Sequence, residues 1–467
     1  MVFSTYIFIF GFLPIALIVY YALPFRWRAA WLAAASYVFY GWEKPEYCLL
    51  MGATTILNFY CGKFMMRSRS HRGRHFWLTL AVAGSLGLLG YYKYAGMLSL
   101  WADAAAQLFV AAGESGHVLP ILHIVLPIGI SFFTFQALSY PIDLYRGDAE
   151  EAPDLISFAS FISMFPQLIA GPIVRYQWIA DELKERTHSA GKFALGLRFF
   201  ALGLAKKVMV ADLFALAVPA AFGPHQPNFE SAWIGVLGYS LQIYFDFSAY
   251  SDMAVGLGLL MGFTFPQNFN SPYKSASITE FWRRWHITLS TWLRDYLYIP
   301  LGGNRLGRTR TYVNLMLVML LGGLWHGASI VFAIWGLWHG VLLALERALG
   351  RRHPLNRMPH YLAVACTNLL VLLSWVLFRA ENFSMAGRVL KGMFLTLPSF
   401  QLPANIVSPY LPALILAGYL VCLFARNTWE MSPRLSPLLA LRDGLLFAAA
   451  ITAALAASST PFLYYQF

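Results

Sequence analysis

The chain has 467 residues, of which 58% are hydrophobic and only 12% charged, at a mean hydropathy of +0.57. Soluble domains carry about a quarter charged residues, so an ordinary soluble enzyme is excluded and an all-α polytopic membrane protein is expected. The net charge of +12 does not signal nucleic acid: the lysines and arginines are scattered through short loops instead of forming one basic face, as cytoplasmic loops of a membrane protein would have them.

Apolar segments recur from end to end. The first expected spans run from Tyr6 to Leu23, Ala29 to Tyr40, Tyr47 to Met65, Phe76 to Tyr92, Ile124 to Tyr140, Leu155 to Ile173 and Phe193 to Phe222. Trp233 to Met261, Tyr312 to Leu324, Ile330 to Leu349, Tyr361 to Phe378, Leu411 to Phe424 and Gly444 to Ala457 follow. A perpendicular helix needs about 20 residues, so the shorter segments are expected to be broken or re-entrant, and roughly ten to twelve crossings result.

Met1 to Thr5 carries no basic region and no small-residue cleavage pattern follows Leu23, so the first segment is expected to stay as a helix. Arg26 and Arg28 follow it, and Arg67, Arg69, Arg72 and Arg74 follow the third span; the positive-inside rule puts both loops in the cytoplasm and the amino terminus outside. No polar stretch reaches the roughly 50 residues of a separate soluble domain, so residues 1–467 read as one integral-membrane domain, and work outside the membrane requires a partner. Cys48, Cys61, Cys366 and Cys422 have neither metal-ligand nor disulfide-framework spacing and read as small core residues.

The stretch from Phe263 to Tyr273, rich in Pro, Gly and Asn, reads as a loop at a helix end. Ser277-Ile278-Thr279-Glu280 then has the spacing of a capping box. Trp282, Trp285, Leu289, Trp292 and Tyr296 recur at intervals of three and four and predict one apolar helix face, with His286 beside it and one turn from Trp282 and Arg283. Too charged to span lipid and too aromatic for a solvated loop, this segment fits an interfacial or re-entrant helix. Arg283 and Arg284 could line a cavity there or merely touch lipid headgroups, with His286 packing as an anchor residue.

Gly322-Gly323-Leu324-Trp325-His326-Gly327-Ala328-Ser329 is the sharper signal. An ionisable residue at membrane depth is costly and marks a functional site by default. The glycines around His326 let a substrate or another backbone come close, and a neutral imidazole can act as a general base. The competing reading is a histidine bonded across helices. Trp338-His339-Gly340 repeats the tripeptide, but on a continuous helix His339 would lie about 20 Å from His326, which assigns it a structural part. Asp246 and Asp252 sit in another apolar segment, where they would pair with Arg283 or Arg284 or line a watery cavity.

Trp-Arg-Arg-Trp-His at 282–286 and Trp-His-Gly at 325–327 resemble the membrane-bound O-acyltransferases, and more closely the bacterial branch that acetylates exported polysaccharides. The likeness extends through Leu126 to Gln136, Phe165 to Pro172, Tyr244 to Asp252 and Phe281 to Asn304. It implies a helical bundle with re-entrant or interfacial helices around a central cavity. His326 and His286 would be catalytic, with Trp282, Arg283, Arg284, Trp285, Asp246, Asp252, Trp325 and Ser329 as cavity-lining candidates. The implied donor is acetyl-CoA, without a metal. The acetyl group would pass across a bacterial inner membrane to a periplasmic O-acetyltransferase and then to alginate or acetylated cellulose. D-alanyl transfer to teichoic acid, peptidoglycan acetylation and, from another class, a transporter are the alternatives; no internal repeat supports the last. His286 or a neighbouring arginine could stabilise the oxyanion, and a covalent acetyl-histidine stays open.

Overall fold

The computed structural model describes residues 1–109, 117–398, 408–431, 436–456 and 462–463. Ala457, the expected end of the last span, lies outside them. Among the described residues every regular element is helical, as expected from the length of the apolar segments. Buried apolar side chains from Phe3 to Leu463 form one connected cluster. Ile18, Leu49, Tyr361 and Phe424 are among many large apolar side chains that face outward, the surface expected of a protein solvated by lipid.

Helix starts follow local chemistry. Ser70, Asp154, Ser189, Asn228, Ser277 and Asn382 each accept a hydrogen bond from the backbone N–H three residues on, satisfying a donor that the helix itself leaves orphaned. At Ser277 the expected cap forms, but the Glu280 carboxylate accepts from Ala276 N–H at 2.9 Å, so the box closes one residue early.

Ile330–Arg357, His360–Arg379 and Pro437–Ala456 are long and apolar enough to cross a membrane, and Ile7–Ala22 and Leu411–Phe424 are shorter apolar helices. Other expected spans differ for identifiable reasons. The helix expected from Leu155 to Ile173 ends at Ser163, because Pro166 and Pro172 cannot continue it; residues 164–175 are irregular and buried. The Ile124 span starts as a helix only at Ile130, after Gly129 at φ 76. A Cβ on Gly129 would lie 2.8 Å from the Leu168 carbonyl oxygen, so glycine lets this turn pack on the irregular segment. The span expected to stop at Tyr92 runs on as His71–Gln107 and carries Lys93 into the core.

Arg308–His326 and Ile330–Leu349 form an antiparallel hairpin. A Cβ on Gly323 would stand 2.2 Å from the Phe332 carbonyl oxygen, and one on Gly336 2.2 Å from that of Met319. Small residues at such positions let helix backbones touch. The glycines around His326 thus serve backbone approach, and the Phe332 ring covers Gly327. Gly323→Leu is expected to cost about 1–3 kcal/mol of stability through overpacking, read as a lower melting temperature of the solubilised protein; wild-type melting would show that the hairpin tolerates separation.

Candidate active site

The predicted continuous helix through His286 is interrupted. Ile278–Arg284 ends, Trp285 is extended, His286 adopts φ 43, and Ile287–Leu293 begins. A left-handed conformation is uncommon for a residue with a side chain, and here it is held from outside. Asn270 N–H donates to the Arg284 carbonyl and Ile287 N–H to that of Asn268, each at 2.9 Å. The Asn268 side-chain oxygen accepts from Thr288 N–H at 3.3 Å and from the Thr288 hydroxyl at 2.9 Å. The loop read as a helix end is therefore the clamp on the break.

That clamp also fixes the imidazole. His286 Nδ1 lies 3.1 Å from the same Asn268 oxygen; since that oxygen only accepts, Nδ1 carries the proton. In a neutral ring Nε2 is then an acceptor. It is buried without a hydrogen-bond partner among the described residues. The ring is 0% exposed and packs edge-on against Phe247, with ring centres 4.7 Å apart.

His326 is the last residue of its helix, and extended Gly327 follows it. Its ring meets Trp325, Trp335 and Phe378 edge-on at 4.9, 5.1 and 5.1 Å. Trp325 bridges the two histidines, with its ring centre 6.0 Å from that of His286. His326, Trp325, Lys93, Ser131, Phe132 and Ile169 are among the residues lining a cavity of about 20 Å³. A second cavity of about 290 Å³, lined by Met1, Glu43, Lys44 and Tyr47, shares Leu126 and Ile169 with the first.

Not all expected site residues converge here. Trp285 is buried against Trp375 at 4.9 Å. Trp282 packs on Trp335 and His339, and Ser329 caps its helix by accepting from Val331 N–H. Arg283 is exposed, and Arg284 pairs with Glu280 and donates to the Asn270 carbonyl; neither arginine lines the cavity. Asp246 and Asp252 bind lysines instead of these arginines. Lys207 lies 2.7 Å from Asp246 and 2.8 Å from Asp212, and Lys206 lies 2.6 Å from Asp252. The π-helical turn Lys206–Ala211 places both lysines against acids. Asp246 also accepts from Leu463 N–H, and Asp252 from the Thr428 hydroxyl, so the pair ties helix Phe229–Leu260 to the carboxyl-terminal segments.

His339 lies nearer than a continuous helix would allow, because the chain turns at 327–329: Trp335 contacts it at 5.1 Å as well as His326. Lys93, Asn268, Trp335 and Phe378 went unmarked in the sequence. The signal for Lys93 was a lone cation amid apolar residues.

The family model of the membrane-bound O-acyltransferases matches residues 121–385, a stretch that includes both histidines and the Asn268 clamp. The chain belongs to this family and is an O-acyltransferase. It is 45% identical over 438 residues to a probable alginate O-acetylase of Pseudomonas aeruginosa, covering 93% of this chain and 83% of that one. A probable alginate O-acetylase of Azotobacter vinelandii is 43% identical over the full length of both chains. A peptidoglycan O-acetyltransferase of Helicobacter pylori is 38% identical, with 84% of this chain and 80% of the relative aligned.

Without Asp246, Lys207 keeps only Asp212 as a carboxylate partner among the described residues and Leu463 N–H loses its acceptor, both of which destabilise a buried site. Asp246→Ala is therefore expected to lower the melting temperature through Lys207 while the folded fraction keeps its specific activity. Loss of activity at an unchanged melting temperature would return Asp246 to the site.

Proposed function

We propose that this chain takes an acetyl group from acetyl-CoA at the cytoplasmic face of a bacterial inner membrane and moves it across for O-acetylation of an exported polysaccharide of the alginate or cellulose type. The observation that supports this best is a buried histidine, His326, on a cavity that shares Leu126 and Ile169 with a larger pocket beside Met1. Arg146 and Arg175 meet at Asp295, the first on its backbone carbonyl and the second on its carboxylate. The positive-inside rule assigns the loops of Arg26, Arg28 and Arg67 to Arg74 to the cytoplasm, the side from which acetyl-CoA would enter. In this reading residues 1–467 act as one multi-pass acyltransferase domain, and the identity to alginate O-acetylases supports the acceptor class.

Chemically, neutral His326 accepts the proton of an acceptor hydroxyl as its oxygen attacks the thioester carbonyl carbon. The carbon–sulfur bond breaks, and the departing thiolate takes the proton back as CoA thiol. His286, its Nδ1 proton held by Asn268, packs against the other side of the Trp325 ring and supports the position of His326. General base assistance typically contributes about 100- to 10,000-fold. With purified protein and radiolabelled acetyl-CoA, His326→Ala is expected to lower transfer at least about 100-fold with folding intact; unaltered turnover would remove His326 from its role. His286→Ala should leave a severe but incomplete defect, and wild-type rates would reduce it to a packing residue.

The acceptor hydroxyl in this step belongs to a separate periplasmic O-acetyltransferase, which carries the acetyl group to the polymer. In proteoliposomes the chain alone should leave the polymer unlabelled until that partner is added. Labelled polymer without it would refute the handover.

A further inference from the structure

Lys93 is the ionisable group beside His326 that the reaction above does not use. It is 8% exposed and sits midway along helix His71–Gln107. Its Nζ donates to the Trp325 carbonyl and, at 3.2 Å, to the Ser131 hydroxyl, with the Trp325 ring centre 5.7 Å away. Both hydrogen-bond partners are uncharged. Lys206 and Lys207, by contrast, are buried or half-buried against carboxylates, whereas Lys93 has no carboxylate within ion-pair distance among the described residues. A cation so placed is expensive, and its environment supplies no anion.

An ammonium has three N–H donors, of which two are engaged. Lys93 and His326 line the same cavity of about 20 Å³, room for roughly one water-sized group such as a carbonyl oxygen. The transfer itself generates the missing anion. When the acceptor oxygen bonds the thioester carbonyl carbon, the carbonyl π pair moves onto its oxygen, and the hydroxyl proton goes to His326. When that pair returns, the carbon–sulfur bond breaks and the thiolate leaves with the proton.

We propose, on the reading that His326 is the base, that Lys93 is the oxyanion donor: its remaining N–H bonds the acetyl carbonyl oxygen while that oxygen is negative. Neither arginine beside His286 lines the cavity, and neutral His286 offers a lone pair, so Lys93 is the cation placed for this work. The competing structural role is capping. Lys93 and Tyr94, whose hydroxyl donates to the Leu324 carbonyl at 2.7 Å, both satisfy carbonyls in the last turn of helix Arg308–His326, where a basic side chain is favoured. Tyr94 does not line the cavity, and so separates the two roles.

The test measures CoA thiol released from acetyl-CoA, with water as acceptor, by the purified full chain in lipid nanodiscs. Lys93→Gln keeps a donor and loses the charge; Lys93→Met is the second variant. Loss of one oxyanion donor lowers kcat by about 100- to 1,000-fold. That fall is expected for both variants with the KM for acetyl-CoA within about threefold of wild type, while Tyr94→Phe stays within a few-fold in kcat. A kcat for Lys93→Gln near wild type, equal losses in Lys93→Gln and Tyr94→Phe, or failure of both Lys93 variants to fold would each overturn the proposal in favour of capping. His326→Ala in the same assay separates the two levels: retained thiol release there would sink the parent reading, whereas its loss beside an active Lys93→Gln would sink this inference alone.

Discussion

The grip of Asn268 on the break at His286 is the interaction on which the site depends. An interrupted helix frees backbone donors and acceptors that lipid cannot satisfy, and here residues 268–270 take them up. One side-chain oxygen binds the backbone and hydroxyl of Thr288 and the imidazole of His286 together. The Asn268 amide in turn donates to Ser251 on helix Phe229–Leu260, and Thr288 accepts from Ile173 N–H in the irregular segment. Backbone strain, proton position and ring orientation are thereby settled by a single residue anchored to two other parts of the chain.

From this clamp a packed aromatic column leads in two directions. Trp325 connects His286 to His326 and packs on Phe135 at 5.6 Å. Phe135 stacks on Trp292 at 3.8 Å, and Trp292 lies 4.9 Å from Tyr296. Tyr296 donates to Asp143 beneath Arg146 and Arg175. On the opposite side the histidine cavity adjoins the pocket of Glu43 and Lys44. The packed rings hold the two histidines in fixed positions relative to one another.

Much of this was legible in the residues. A histidine amid apolar residues is rarely kept without purpose, so His326 and His286 stand out in the sequence, as does the cap at Ser277 from its spacing to Glu280. The break at His286 was not legible, because the Trp and Tyr spacing from 282 to 296 fits one helix; what interrupts it is Asn268, supplied from a loop. The ion pairs of Asp246 and Asp252 were misassigned to arginines for a similar reason: a π-helical turn, which hydropathy does not show, brings Lys206 and Lys207 to them. Lys93 was missed because a lysine after an apolar run looks like a span boundary, and only the three-dimensional neighbours Ser131 and Trp325 keep it inside.

The most direct measurement of the central claim is a structure of the chain in lipid with a non-hydrolysable acetyl-CoA thioether analogue. The account predicts the acetyl group in the cavity of Lys93 and His326, with the His326 ring within about 3 Å of where the attacking hydroxyl would stand, and the CoA phosphates on the cytoplasmic side. An acetyl group bound elsewhere, with that cavity closed and the imidazole out of its reach, would contradict it.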